Sequence, residues 1–264
     1  MKILIKGAGD LATGIAIRLV RAGYEVLMTE TNIPTTVRRT VAFSRAVYEN
    51  EAVVEDVKAV LIKDASEIEA LHKDGIVPVI VDEEAAILET YQPEVLVDAI
   101  IAKVNTGTKI TQAPLVIGVG PGFEATKDCH AVIETKRGHY LGSVIWEGYA
   151  IPNTGIPGDI GGFTTERIIR ASADGVFEPV AKIGDLVEKG QVVAFSGREP
   201  IYALMSGIVR GMLQPGVLVI KGMKSGDIDA RCESRHCYTV SDKARSIGGA
   251  VLEAVSCYEH KLKK

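Results

Sequence analysis

The sequence predicts an α/β chain, with a mainly parallel, helix-covered sheet at the N-terminus, then a small all-β module and a closing helix. Three observations carry that expectation. Apolar runs of strand length alternate with amphipathic stretches as far as residue 120. A loop-rich segment, Asn153–Gly162, then interrupts the pattern, and beyond it two passes of short strand, Gly-rich turn and short strand follow one another.

Residues 2–6 (KILIK) form a buried-strand run that ends at Gly7-Ala8-Gly9-Asp10-Leu11-Ala12. A helical pattern of Leu11, Ile15, Leu19 and Val20 follows, closed by Gly23. The next strand, Tyr24–Thr29, is trailed by Glu30. This is G-x-G-x-x-A in the order strand, turn, helix, with an acid after the second strand, which makes the region Rossmann-like. Gly7 permits the tight turn, Gly9 lets a pyrophosphate approach the backbone, and Ala12 allows close helix packing. The first helical turn, with Asp10 and Leu11, presents unpaired amides to an anion. Glu30 is suited to a ribose diol, which favours NAD-type ligands.

The pattern continues with strands at 46–50, 56–62, 77–81, 95–101 and 115–120, and helices at 66–73 and 83–90. Polar stretches after strand ends would line one crevice. They carry Arg38 and Arg39, read either as solvated or as an anion clamp. Lys103 and Asn105 follow a strand holding Asp98, where a buried Asp–Lys pair or a turn explains them as well as a ligand does. Gly120 and Gly122, in Gly-Pro-Gly, read either as a binding rim or as a purely structural turn. A hairpin over 129–146, turning at Arg137-Gly138, would place Glu134 opposite Leu141 and near His139. It would leave His130 too far from His139 to share a metal, so no metal site is expected.

Asn153–Gly162 reads as a domain boundary, ahead of a helix at 164–170. The two β passes that follow resemble the biotinyl/lipoyl carrier fold, a barrel-sandwich hybrid. The connecting hairpin, Phe195–Pro200, lacks the lysine that carries the cofactor in that family. Ser241 suits an N-cap, and Gly248-Gly249 would let the last helix approach another backbone. The expected divisions are 1–112 for a nucleotide- or cofactor-binding domain, 113–165 for its continuation, 166–232 for the β module and 233–264 for a helix packing back on the core.

The totals exclude several classes. The 264 residues are 47% apolar and 24% charged with net charge −4, so no basic field favours nucleic acid or anionic membrane. The apolar run at the start is too short for a secretory leader, and no stretch nears the ~20 residues that span a bilayer. Four cysteines make no disulfide framework. A soluble, cytoplasmic protein is expected, and a homo-oligomer is left open.

The stretches GAGDLATGIAIRL, VRRTVAFSRAVYE, DAIIAKVNTGT, IGVGPGFEATKDCHAVIETKRGHYLG and GDIDARC…YTVSDKARSIGGAVLEA together resemble the accessory proteins of selenium-dependent molybdenum hydroxylases. That family is similar to the xanthine dehydrogenase accessory proteins. The resemblance implies a maturation role toward a molybdenum hydroxylase apoenzyme, with molybdenum cofactor (molybdopterin or its dinucleotide) in the crevice. It carries over no catalytic residue. The alternative is an NAD-dependent oxidoreductase, or another nucleotide-using enzyme, with Lys103, His130 or His139 as proton donor.

Overall fold

The computed structural model describes residues 1–263. Its chain divides into two compact units, one formed by Met1–Pro34, Ala42–Thr154 and the segment from Val240 onward, the other by Thr35–Val41 and Gly155–Thr239.

The first unit holds strands β1 (Lys2–Lys6), β2 (Glu25–Glu30), β3 (Glu51–Val54), β4 (Val57–Ile62), β5 (Val77–Val81), β6 (Val95–Asp98), β7 (Leu115–Val119), β8 (Glu124–Ala125), β9 (Ala131–Ile133), β10 (Val144–Ile145) and β11 (Gly148–Tyr149). Its helices are α1 (Asp10–Arg21), α2 (Ala46–Glu49), α3 (Ile68–Lys73), α4 (Leu88–Tyr91) and α5 (Asp242–Leu262). Nine strands form one mixed sheet in the order β10-β9-β7-β6-β1-β2-β5-β4-β3. The interior strands run parallel, whereas β3 against β4 and β10 against β9 are antiparallel. β8 and β11 pair separately.

The near-continuous apolar runs follow from this placement, because a central parallel strand is buried on both faces. Ile3, Leu4 and Ile5 of β1 are fully buried, each stabilising by about 1.5–3 kcal/mol on the area scale. Helices α1 and α5 cross at backbone distance. A Cβ on Gly248 would stand 2.6 Å from the Gly14 carbonyl oxygen, and one on Gly14 would stand 2.8 Å from the Ala244 Cβ. Gly249 meets nothing within 4 Å, so only the first glycine of the pair serves the crossing. Ser241 caps α5, its Oγ accepting from the Ala244 N–H at 3.2 Å.

The second unit contains β12 (Ile168–Arg170), β13 (Gly175–Pro179), β14 (Leu186–Val187), β15 (Val192–Ser196), β16 (Glu199–Tyr202), β17 (Gly207–Met212), β18 (Leu218–Val219) and β19 (Lys224–Asp229). They form two four-stranded antiparallel sheets, β12-β19-β17-β14 and β16-β15-β13-β18. Phe177, Val193, Ala194, Val209 and Met212 are among its fully buried side chains.

These observations correct the expected fold class. In place of a Rossmann-like sheet followed by a biotinyl/lipoyl-like barrel-sandwich, the chain has a large mixed sheet, a two-stranded and two four-stranded antiparallel sheets, and a C-terminal helix. One antiparallel edge arises from the two-residue connection Glu55-Asp56, where Glu55 takes φ 56° without the Asn-Gly or Asp-Gly signal such turns favour. Short strands of one pass pair with strands of the other. Leu186–Val187 pairs with Gly207–Met212, and Leu218–Val219 pairs with Gly175–Pro179. Locally, 46–49 is helical and 168–170 is a strand, the reverse of the expectation for both segments. Such short apolar stretches carry too few periods to separate 3.6 from 2. No helix among the described residues is long and apolar enough to cross a membrane.

Candidate functional site

β1 lies between β2 and β6, so the sheet's topological switch falls between β1 and β6. The loops leaving the carboxyl ends of these strands are where an α/β sheet receives its ligands. Gly7 takes φ 89°, which an L side chain rarely adopts. A Cβ there would also stand 3.1 Å from the Ile100 Cα, so the loops after β1 and β6 touch backbone to backbone. Gly9 is the N-cap of α1 at φ −64° and contributes no side-chain cap, and Asp10 lies in the helix's first turn. The Thr13 hydroxyl donates to the Ala8 carbonyl and accepts from the Phe43 N–H. Ala12 is buried, and Leu11 is partly covered.

Beneath this edge lies a charge network built on Lys6, a lysine that the sequence did not single out. Lys6 Nζ donates to Thr108 Oγ1 at 2.8 Å and stands 3.3 Å from Asp98 Oδ2. The Thr108 hydroxyl donates to Asp98 Oδ2 at 2.6 Å, and the Ile100 N–H to Asp98 Oδ1 at 3.2 Å. Lys6, Asp98 and Thr108 are 6%, 1% and 2% exposed. The available signal was a lysine closing the strand KILIK directly after three apolar residues. Lys103, for which a pair with Asp98 was one of the open readings, is exposed.

The segment above the network is strained. Ile101 is held at φ 61° and Lys103 at φ 67°, conformations that are outliers for a β-branched or long side chain. Asn105 holds the far end of this loop. Its Oδ1 accepts from the Gly107 and Thr108 N–H groups, and its Nδ2 donates to the Thr108 carbonyl. Gly122, at φ 113°, packs on the same segment, where a Cβ would stand 2.7 Å from the Val104 backbone. A Cβ on Gly120 would stand 2.9 Å from Thr135 Oγ1. Gly7, Gly122, Lys103 and Asn105 thus share one cluster of loops.

Glu30 does not present a free carboxylate. Its Oε2 accepts from the Ala8 N–H at 2.9 Å and its Oε1 from the Thr31 N–H at 2.9 Å. Burial lifts its pKa above the ordinary carboxylate value, against the pull of those two amides. Arg38 and Arg39 belong to the second unit. Arg38 donates to the His236 and Thr239 carbonyls, and Arg39 to the Met212 carbonyl.

The region 129–146 also departs from its expected register. Glu134 pairs with Ser143 and Gly142 through backbone bonds, and its buried carboxylate accepts from the Lys136 and Ile151 N–H groups, each at 2.7 Å. His130 Nδ1 accepts from the Val116 N–H at 2.9 Å, and burial lowers its pKa. The ring is therefore neutral and carries its proton on Nε2. His139 is exposed and stacks edge-on against Tyr140. Cys129 is fully buried, and burial pushes its thiol up to about 11, so it is not a poised nucleophile. Among the described residues no group of three or more His, Cys, Asp or Glu is placed to hold a metal ion.

No family model matches the chain. A curated relative from Escherichia coli K12, described as uncharacterized protein YqeB, is 50% identical over 258 residues, covering 98% of this chain and 48% of the relative. The chain thus spans about half the length of the curated relative it matches. Solved structures similar to it include a succinylglutamate desuccinylase from a Silicibacter species, 12% identical over 86% of this chain and 84% of that one. Others are an aspartoacylase family protein from Mesorhizobium loti, 13% identical over 86% and 83%, and the ectoine utilization protein EutE (DoeB) from Ruegeria pomeroyi, 11% identical over 86% and 84%. Each has a TM-score of 0.26, a likeness too slight to carry an argument.

These findings overturn the resemblance to molybdenum hydroxylase accessory proteins. None of the proteins named above is described as acting on molybdenum or selenium, and with the resemblance go the maturation role, molybdenum cofactor and NAD. The geometry gives the physical reason against NAD. The carboxylate meant for its ribose is spent on two backbone amides, and the loops that would cradle its pyrophosphate are packed on one another.

Proposed function

We propose that the first unit is a small-molecule-binding α/β domain whose ligand is a compact carboxylate or phosphate ester seated on the first turn of α1. The observation that carries this reading is the strained backbone at Ile101, held just above the buried Lys6–Asp98 pair at the sheet's switch point. Strain of this kind costs about 1–3 kcal/mol per residue and concentrates at ligand sites, and a buried ion pair is seldom the most stabilising choice for a core. The glycine cap of α1 leaves its first amides without a side-chain acceptor, and an anion completes them. The polar groups below hold one another, so the reading is binding rather than chemistry.

The test is thermal unfolding with malonate, malate, glycerol 3-phosphate and inorganic phosphate, on the wild type and on Gly9→Ala. The Gly9 backbone at φ −64° admits alanine, whose methyl group would stand at the helix cap. A true ligand at a hundredfold its Kd raises stability by about 2.7 kcal/mol, and the variant loses that gain. If none of the four raises the Tm, or if Gly9→Ala responds as the wild type does, the reading is wrong.

A further inference from the structure

We infer that the outer face of the sheet β16-β15-β13-β18 is an interaction surface. Its occupant is polypeptide corresponding to the part of the Escherichia coli relative that lies outside the match to this chain. An antiparallel sheet with one wet face reads apolar inward and polar outward. Three strands of this sheet are apolar in both directions. Along β13 and just past it, Phe177 and Ala181 are buried while Val176 and Val180 are exposed. At β16, Ile201 and Ala203 are buried while Tyr202 and Leu204 are exposed. At β18, Val217 and Val219 are buried while Leu218 and Ile220 are exposed. These six outward side chains are 40–75% exposed.

The register gathers the outward groups. Leu218 lies directly opposite Val176, and Glu178 lies opposite Phe195, which in turn faces Pro200. Directly paired residues project to one face, and so do residues two apart on a strand. Leu218, Val176, Phe195 and Pro200 therefore make one apolar surface, with Glu178 as its charged member. Apolar residues scattered singly over a surface need no explanation, whereas a contiguous patch marks an interaction site. The unit's other sheet shows the covered case, since every residue of β17 is buried and so is β19 after Lys224.

The relative indicates what covers the face. It is 50% identical over 98% of this chain, yet the match takes up only 48% of its own length. More than half of that protein is thus additional polypeptide attached to the same kind of sequence, and a sheet apolar on both faces is what such a layer would cover. A second copy of this chain fits less well, because an isologous contact centred on this face brings two Glu178 carboxylates together.

The experiment is hydroxyl-radical footprinting of two intact proteins, this chain and the full-length relative. Tyr202, Leu204, Leu218 and Ile220 should label strongly here, and the aligned positions of the relative should be protected. Leu218→Lys gives a second readout. In this chain it should leave the Tm unchanged to within about 1 °C, as surface substitutions do. The same exchange at the aligned position of the relative should lower its Tm by about 5 °C or more, since it buries a charge. Equal labelling of the face in the two proteins overturns the proposal, as does a lysine exchange that both tolerate. A dimer of this chain in sedimentation, abolished by Leu218→Lys, overturns it in favour of self-association.

Discussion

Both units bury ion pairs, and they satisfy them differently. In the first, one lysine meets one aspartate at a strand end, and a threonine hydroxyl bridges them. In the second, the adjacent strands β17 and β19 supply Arg210, Asp227 and Asp229, and the flanking loops supply Arg167 and Arg231. Asp227 accepts from Arg167 and from Arg210, whose Nε lies 3.0 Å from Oδ2. Asp229 accepts from Arg210 at 3.3 Å and from Arg231 at 2.9 and 2.6 Å. The guanidinium fork spreads several donors over two carboxylates and locks strand to strand. The ammonium is a point charge whose neighbours must be brought to it. We take the arginine network as structural and the lysine pair as the floor of a site, because only the latter lies at the switch point of the large sheet.

That contrast can be broken at four places. The largest effect is expected from Asp227→Ala, which takes from the buried Arg167 its only carboxylate, leaves Arg210 with Asp229 alone and should cost about 3–5 kcal/mol. Urea unfolding, and loss of amide-exchange protection in β17 and β19, would register it. A near-neutral result would mean that the arginines find other acceptors.

Lys6→Met should cost about 3 kcal/mol by leaving Asp98 uncompensated, seen in the fluorescence of Trp146, the chain's single tryptophan. Adding Asp98→Leu should return most of that loss, since an apolar pair avoids the desolvation cost. If the double variant stays as unstable as the single one, the pair contributes net stability of its own and the contrast dissolves.

Thr108→Val removes only the bridging hydroxyl and should cost about 1 kcal/mol. The smallest effect at neutral pH is expected from Arg231→Ala, under about 1 kcal/mol for a half-exposed partner. Its signature is the acid limb instead. Burial pushes the Asp229 carboxyl up, but hydrogen bonds from Arg231 and the charge of Arg210 outweigh it and hold the group at about 2. A carboxyl depressed in the folded state contributes stability above its unfolded value, near 4. That stability is lost as pH falls toward about 2. The substitution should shift this loss to higher pH. An unchanged acid limb would remove Arg231 from the network.

The legible parts of this molecule were those written in contiguous residues. KILIK ending at glycine announces a central strand, a tight turn and a helix, and each stands within a residue of its expected place. Ser241 announced its cap for the same reason, as one side chain reaching an amide three residues on. The segments at 46–50 and 164–170 were misread because each is shorter than two helical turns. Hairpin register across 134–143 was misread because nothing in those ten residues shows that Glu134 turns inward to accept from Ile151.

Apolar periodicity and glycine placement, taken alone, determine that this chain alternates strands and helices early and strands late, because those choices depend on neighbours within one turn or pleat. Which lysine meets Asp98, where Glu30 spends its carboxylate, and which strands exchange between the β passes were decided by tertiary structure. The free energy of pairing a charge or closing a sheet edge arises only once water is excluded, and the groups that exclude it lie as far apart in the chain as Lys6 and Asp98.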